Sequence, residues 1–158
     1  GHFYIEHNRG HHVDVATPED PASARMGESF YKFVAREVPG TFKRGMAQEK
    51  KRLAQQGLPF WHWKNDVLQS YALSAMVQGS LIALFGLVMI PFLLLHNLVA
   101  WLQLSSANYI EHYGLLRAKV SDTRFERCQP HHSWNANYIF SNILLFHLER
   151  HSDHHANS

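Results

Sequence analysis

The chain has 158 residues, with 15 Lys plus Arg against 13 Asp plus Glu, and a net charge of +2 with histidine neutral. That length suits one domain or a piece of a larger one, and so small a charge gives no footing for nucleic acid as a partner. The single cysteine, Cys128, excludes an internal disulfide and any cysteine-based zinc or iron–sulfur site, whereas histidine stands out with thirteen copies.

The first twelve residues hold a histidine cluster, Glu6-His7-Asn8-Arg9-Gly10-His11-His12, spaced H-x-x-x-H-H. On an α-helix His7 and His11 share a face, and His12 points about 100° away from His11. Such a helix offers two ligands to one metal and a third to another. Residues 13–25, with Thr17-Pro18-Glu19-Asp20-Pro21, read as a loop. Helices are expected over about 27–38, with Phe30, Phe33 and Val34 at helical spacing, and over about 41–56, ending near Gly57.

From Val67 to Ile110 there are 44 consecutive residues without Asp, Glu, Lys or Arg, which the overall mean hydropathy of −0.27 conceals. One helix of that length would run about 66 Å, roughly twice a bilayer's hydrocarbon core. Two spans are therefore expected, at about 68–90 and 92–110, with Pro91 as the turn or kink. Trp61 and Trp63 precede the first span, where indoles commonly meet the membrane interface. Lys43, Arg44, Lys50, Lys51, Arg52 and Lys64 lie before the apolar block, and Arg117, Lys119, Arg124 and Arg127 after it. Basic residues on both flanks put both on the cytoplasmic side, which two crossings satisfy and one does not. The expected organisation is one partial domain over 1–158: cytoplasmic residues 1–66, two transmembrane helices within 67–110, and cytoplasmic residues 111–158. The histidines at the two ends of the sequence can then meet on one face of the bilayer.

Asn108-Tyr109-Ile110-Glu111-His112-Tyr113-Gly114-Leu115 closes the second span. Residues 117–132 are polar and loop-like. A last helix is expected over about 135–156, apolar at Ile139, Phe140, Ile143, Leu144 and Leu148. It carries His151-Ser152-Asp153-His154-His155, spaced H-x-x-H-H. No segment reads as a strand, so the class is all-α, an integral-membrane helical bundle with a two-span hairpin. Imidazole suits zinc, copper, iron and nickel. Seven imidazoles exceed a four-coordinate zinc site, which points to two metals, and spacing does not choose between iron and zinc. His2, His62, His96, His131, His132 and His147 fall outside the pattern. His96, within a span, reads as a hydrogen-bonded core residue.

Glu-His-x-x-Gly-His-His, Asn-Tyr-Ile-Glu-His-Tyr-Gly-Leu and Leu-x-Arg-His-Ser-Asp-His-His together resemble the membrane alkane 1-monooxygenases, within the wider group of histidine-rich desaturases and hydroxylases. The stretch from Ala16 to Ser23 is similar too, and the likeness runs over essentially the whole chain. The resemblance implies that His7, His11, His12, His112, His151, His154 and His155 ligate two non-haem iron ions. Glu6, Glu111 and Asp153 would stand behind them, orienting imidazole N–H groups. It also implies a further His-Glu-x-x-x-His box before Gly1, so that the chain is an internal or C-terminal fragment, inactive alone. Glu149 stands where the family usually has Gln. The implied reaction is O2-dependent terminal hydroxylation of medium- or long-chain n-alkanes to 1-alkanols, with electrons from rubredoxin, in the bacterial inner membrane with the metals on the cytoplasmic side. The alternatives are a fatty-acyl desaturase or related hydroxylase, and a non-enzymatic membrane metal-binding or transport protein.

Overall fold

The computed structural model describes residues 1–122, 124–144 and 150–156; His147, Leu148 and Glu149 lie outside the described residues. The chain opens with α1 (His2–Glu6), a π-helical turn (His7–His11) and α2 (His12–Asp14), one winding rod with a π segment inside it. It lies across α3 (Phe30–Gln55), and Gly45 makes the close approach. A Cβ at Gly45 would sit 2.8 Å from the His2 carbonyl oxygen, so any larger residue pushes the rod off α3.

α3 is one helix of 26 residues rather than the two expected, and Pro39 lies inside it. Proline in a helix removes one hydrogen bond and crowds the carbonyl four residues back. Here Pro39 and Ala35 are both exposed, so water can serve the freed Ala35 carbonyl. The Thr41 hydroxyl donates to the Glu37 carbonyl at 2.9 Å on the buried side. The buried residues of α3 are Phe33, Glu37, Thr41, Gly45, Glu49 and Leu53, a stripe at strict four-residue spacing. Half of it is polar, so hydrophobic periodicity did not reveal it. α3 ends with Gly57 at φ +68°, and Leu58 N–H reaches back to the Leu53 carbonyl.

The apolar block forms α4 (Asp66–Phe85) and α5 (Met89–Glu111). Asn65 caps α4 by accepting from Leu68 N–H at 3.0 Å. The turn falls at Gly86, with φ +83°, and not at Pro91. Pro91 sits in the first turn of α5, where its missing N–H has no intrahelical partner to lose. Both helices are long and apolar enough to cross a membrane, and almost none of their side chains are buried. Leu84, Phe85, Leu94 and Leu95 are more than 60 % exposed. A soluble core hairpin would hide these surfaces; here they face outward as lipid-facing surfaces do, and the chain is an integral-membrane helical protein. Asn97 donates to Gln78 at 3.1 Å, a polar tie between the spans. His96 is exposed beside it among the residues of this chain, stacked on Phe92 and within 3.4 Å of Asn97 Oδ1.

Because the hairpin is antiparallel, the start of α4 and the end of α5 meet at one end, where α1 and α3 also pack. Glu37 of α3 accepts from Ser105 (2.5 Å) and Asn108 (2.8 Å) of α5. Glu49 accepts from the backbone N–H of Asp66 at 2.7 Å. A short antiparallel ribbon follows, β1 (Lys119–Ser121) with β2 (Arg124–Phe125), in a segment expected to be loop. After a 3-10 turn (Pro130–His132), α6 (Ile139–Leu144) and α7 (His151–Ala156) replace the single helix expected over 135–156; Arg150 is outside both.

Candidate metal centre

The seven motif histidines converge at that end of the hairpin. They form two groups, His11, His112, His151 and His155 in one, and His7, His12 and His154 in the other. In the first, Nε2 of His112 lies 3.1 Å from Nε2 of His11 and 3.1 Å from Nε2 of His151, which is 2.8 Å from Nε2 of His155. In the second, Nε2 of His7 lies 3.1 Å from that of His12 and 3.4 Å from that of His154. The groups abut, with the rings of His12 and His155 4.7 Å apart.

These spacings are the edges of a coordination polyhedron. Metal–imidazole bonds of about 2.1 Å put neighbouring ligand nitrogens about 2.9–3.4 Å apart. Neutral imidazoles with protons on Nδ1 would otherwise aim their lone pairs at one another. On the Nδ1 side, His11 donates to Asp20 Oδ2 at 2.8 Å, and Glu111 Oε2 lies 3.3 Å from His151 Nδ1. The residues therefore fit a cation at the centre of each group.

Local winding decides which histidine joins which group. On a regular α-helix His7 would align with His11. The π turn closes a wider ring, with His12 N–H bonded to the His7 carbonyl, and aligns His7 with His12 instead. His11 is left to face the other group, so His11 and His12 diverge as the sequence implied. In α7, His151 and His155 lie one turn apart and share a group, and His154 turns to the second. His112 follows the last residue of α5 as its C-cap. Arg44 and Gln48 pass over Gly10; a Cβ there would lie 2.6 Å from Arg44 Nε, so these side-chain ends would have to shift.

The electrostatics keep most of the imidazoles neutral. Burial, and then the charge of His11 and its neighbours, push His7 and His151 down to about 3. Burial and His154 push His12 down to about 4. His112, His154 and His155 are lowered for the same reasons. His11 is the exception. Burial opposes its charge, yet the Asp20 carboxylate raises its pKa, while Asp20 itself is held at about 2 against burial by His11 and the Ser23 hydroxyl. Apart from His11, the rings of both groups are thus held in the neutral form that ligates a metal.

Asp20 is the site residue that the sequence did not single out. Its loop looked unstructured, but Asp20 organises it, accepting from Ala22 N–H (3.1 Å) and Ser23 Oγ (2.6 Å) as well as His11. Glu6 is fully buried, with Oε1 3.6 Å from Arg44 Nε, and burial raises its pKa to about 7. Asp153 is exposed. Among the described non-motif histidines, His2 packs against Tyr71 and Trp101, and His62 and His96 lie elsewhere. Glu126, His131 and His132 make a third group of potential ligands. There His132 Nδ1 accepts from Gln129 N–H at 2.9 Å, which places the ring proton on Nε2, facing Glu126 at 3.3 Å. That imidazole is satisfied without a metal.

Two metal-ready imidazole groups at one end of a membrane hairpin define a histidine-box membrane protein. Residues 1–158 match the fatty acid desaturase family, and the chain belongs to it. It is 56% identical over 156 residues to an alkane 1-monooxygenase of Ectopseudomonas oleovorans, covering 99% of this chain and 39% of that protein. It is 44% identical to alkane 1-monooxygenase 2 of Pseudomonas aeruginosa (98% and 41%) and 27% identical to the hydroxylase component of a xylene/toluene monooxygenase of Pseudomonas putida (96% and 40%). The chain spans about two fifths of the length of these curated relatives.

Proposed function

We propose that this chain carries the greater part of the di-iron centre of an alkane 1-monooxygenase, with His11, His112, His151 and His155 on one iron and His7, His12 and His154 on the other. The observation that carries the reading is the convergence of seven Nε2 atoms into two groups with coordination spacing. When bound, such a metal pair supplies O2 activation and oxygen insertion at the terminal carbon of an n-alkane. The chain's own residues prepare it. Depressed pKa values keep six imidazoles neutral and free to ligate, and Asp20 and Glu111 fix ring orientation through Nδ1. The hairpin, apolar on its outside, brings the site within reach of a substrate dissolved in the bilayer.

In this reading residues 1–66 and 111–158 lie on the cytoplasmic face of a bacterial inner membrane. The exposed Lys43, Lys50 and Lys51 of α3 attract an acidic electron carrier such as rubredoxin. Identity of 56% to an alkane enzyme against 27% to an aromatic one favours a linear substrate. The test is product analysis with the intact protein, supplied with n-alkane, O2 and a reduced carrier. Terminal 1-alkanol that disappears in His112→Ala supports the reading. An alkene, or metal binding without O2-dependent turnover, rejects it.

A further inference from the structure

His132-Ser133-Trp134-Asn135 follows the polar segment and precedes α6, and none of its side chains belongs to either imidazole group. Trp134 and Asn135 reach the ends of the two helices that carry His112 and His151. The last carbonyls of a helix have no partner within it. At the end of α5, Trp134 supplies a partner for one of them, its backbone N–H donating to the Glu111 carbonyl at 2.8 Å, and its indole Nε1–H donates to the carbonyl of Tyr113, just past the helix, at 3.0 Å. Those two carbonyls flank His112. One residue on, the Asn135 side chain grips the start of α7 in both directions. Its Nδ2 donates to Ser152 Oγ at 2.6 Å, and its Oδ1 accepts from Ser152 N–H at 2.9 Å. Ser152 follows His151. A direct strut closes the figure, because the Glu111 carboxylate lies 3.3 Å from His151 Nδ1.

We propose that Trp134 and Asn135 form a positioning bracket that sets the distance between the Nε2 atoms of His112 and His151, and so the geometry of the buried metal position. The bracket rests on the ligand assignment proposed above. Its base is anchored independently of the site: His132 is held between Gln129 and Glu126, and Glu126 accepts from Ala118 N–H at 2.7 Å. His112 and His151 are 39 residues apart, one capping the end of α5 and the other opening α7. The Glu111 strut is a second tie between the same two ends. Residues that orient ligands from behind are worth about 10–100-fold in metal affinity.

The test uses the intact protein loaded with Co2+ as a spectroscopic probe. It compares Asn135→Leu, Asn135→Asp and Ser152→Ala for rate of metal release to a chelator, ligand-field spectrum and metal-free melting temperature. Asp keeps an acceptor for Ser152 N–H and can accept from its hydroxyl, whereas Leu fills the space without either bond. Asn135→Leu is expected to speed release of one equivalent at least about tenfold and to change the spectrum. Asn135→Asp should restore both, and Ser152→Ala should add little to Asn135→Leu. A wild-type spectrum and release rate in Asn135→Leu overturns the bracket, as does a loss that tracks a fallen melting temperature and is not rescued by Asp. Failure of the wild-type protein to bind Co2+ at all would instead reject the ligand assignment.

Discussion

The two imidazole groups use the same residue type and the same ring nitrogen, yet they are built to different standards. His11, His112, His151 and His155 are all at least nine-tenths buried, come from three separated segments, and have carboxylates behind two of their rings. His7 and His12 are only half-buried and His154 is exposed, and all three come from two segments. A buried polar group without its partner costs far more than an exposed one, because water cannot replace what is lost. The buried group is therefore held rigidly by the residues of this chain, whereas the outer group is open to groups from the rest of the intact protein.

Substitution within each group should separate them most strongly. In the intact protein, His11→Ala and His112→Ala should abolish activity and empty the buried position. His154→Ala should abolish activity but leave close to one metal per chain, measured by elemental analysis after dialysis. Loss of both metals from His154→Ala would erase the distinction between the groups.

Acid is the next lever. Six of the seven imidazoles have folded pKa values below the ordinary 6.5. Below about pH 6.5 the unfolded chain therefore binds more protons than the native one, and their contribution is lost as pH falls. His11, Glu6 and Glu37, with raised pKa values, work the other way and offset part of this loss. The metal-free protein should melt at progressively lower temperature between about pH 7 and pH 4. Rising stability over that interval would contradict the buried, neutral state of these rings.

The residues behind the rings give a smaller effect. Asp20→Asn keeps the shape but removes the charge that raises His11, and should weaken metal binding about 10–100-fold. Asp153→Asn, at an exposed position, should change it by less than about twofold, and His62→Ala should change nothing. Metal competition with a chromophoric chelator ranks the three, and an equal effect of Asp20→Asn and Asp153→Asn would remove the role given to Asp20.

The seven converging histidines were legible in the sequence because they stand at i, i+3, i+4 and adjacent spacing, and because the uncharged block forced a hairpin that returns the chain to its starting side. The partition between groups was not. It depends on a π turn at His7–His11, and a change of winding over five residues leaves no periodic trace. Asp20 was hidden for another reason: its partner is nine residues away across a loop whose fold is set by Asp20 itself. α3 was divided at Pro39 because the buried stripe that holds it together runs through Glu37, Thr41 and Glu49, whose polarity gives no hydrophobic signal. The break at Gly86 was displaced to Pro91 because proline breaks a helix only away from its first turn.

The most direct test of the two-group arrangement is anomalous diffraction at the iron edge on the intact, iron-loaded protein. Two peaks are expected, one about 2 Å from Nε2 of His11, His112, His151 and His155, the other at the same distance from Nε2 of His7, His12 and His154. A single peak, coordination through Nδ1, or His7 and His11 bound to the same iron would contradict it.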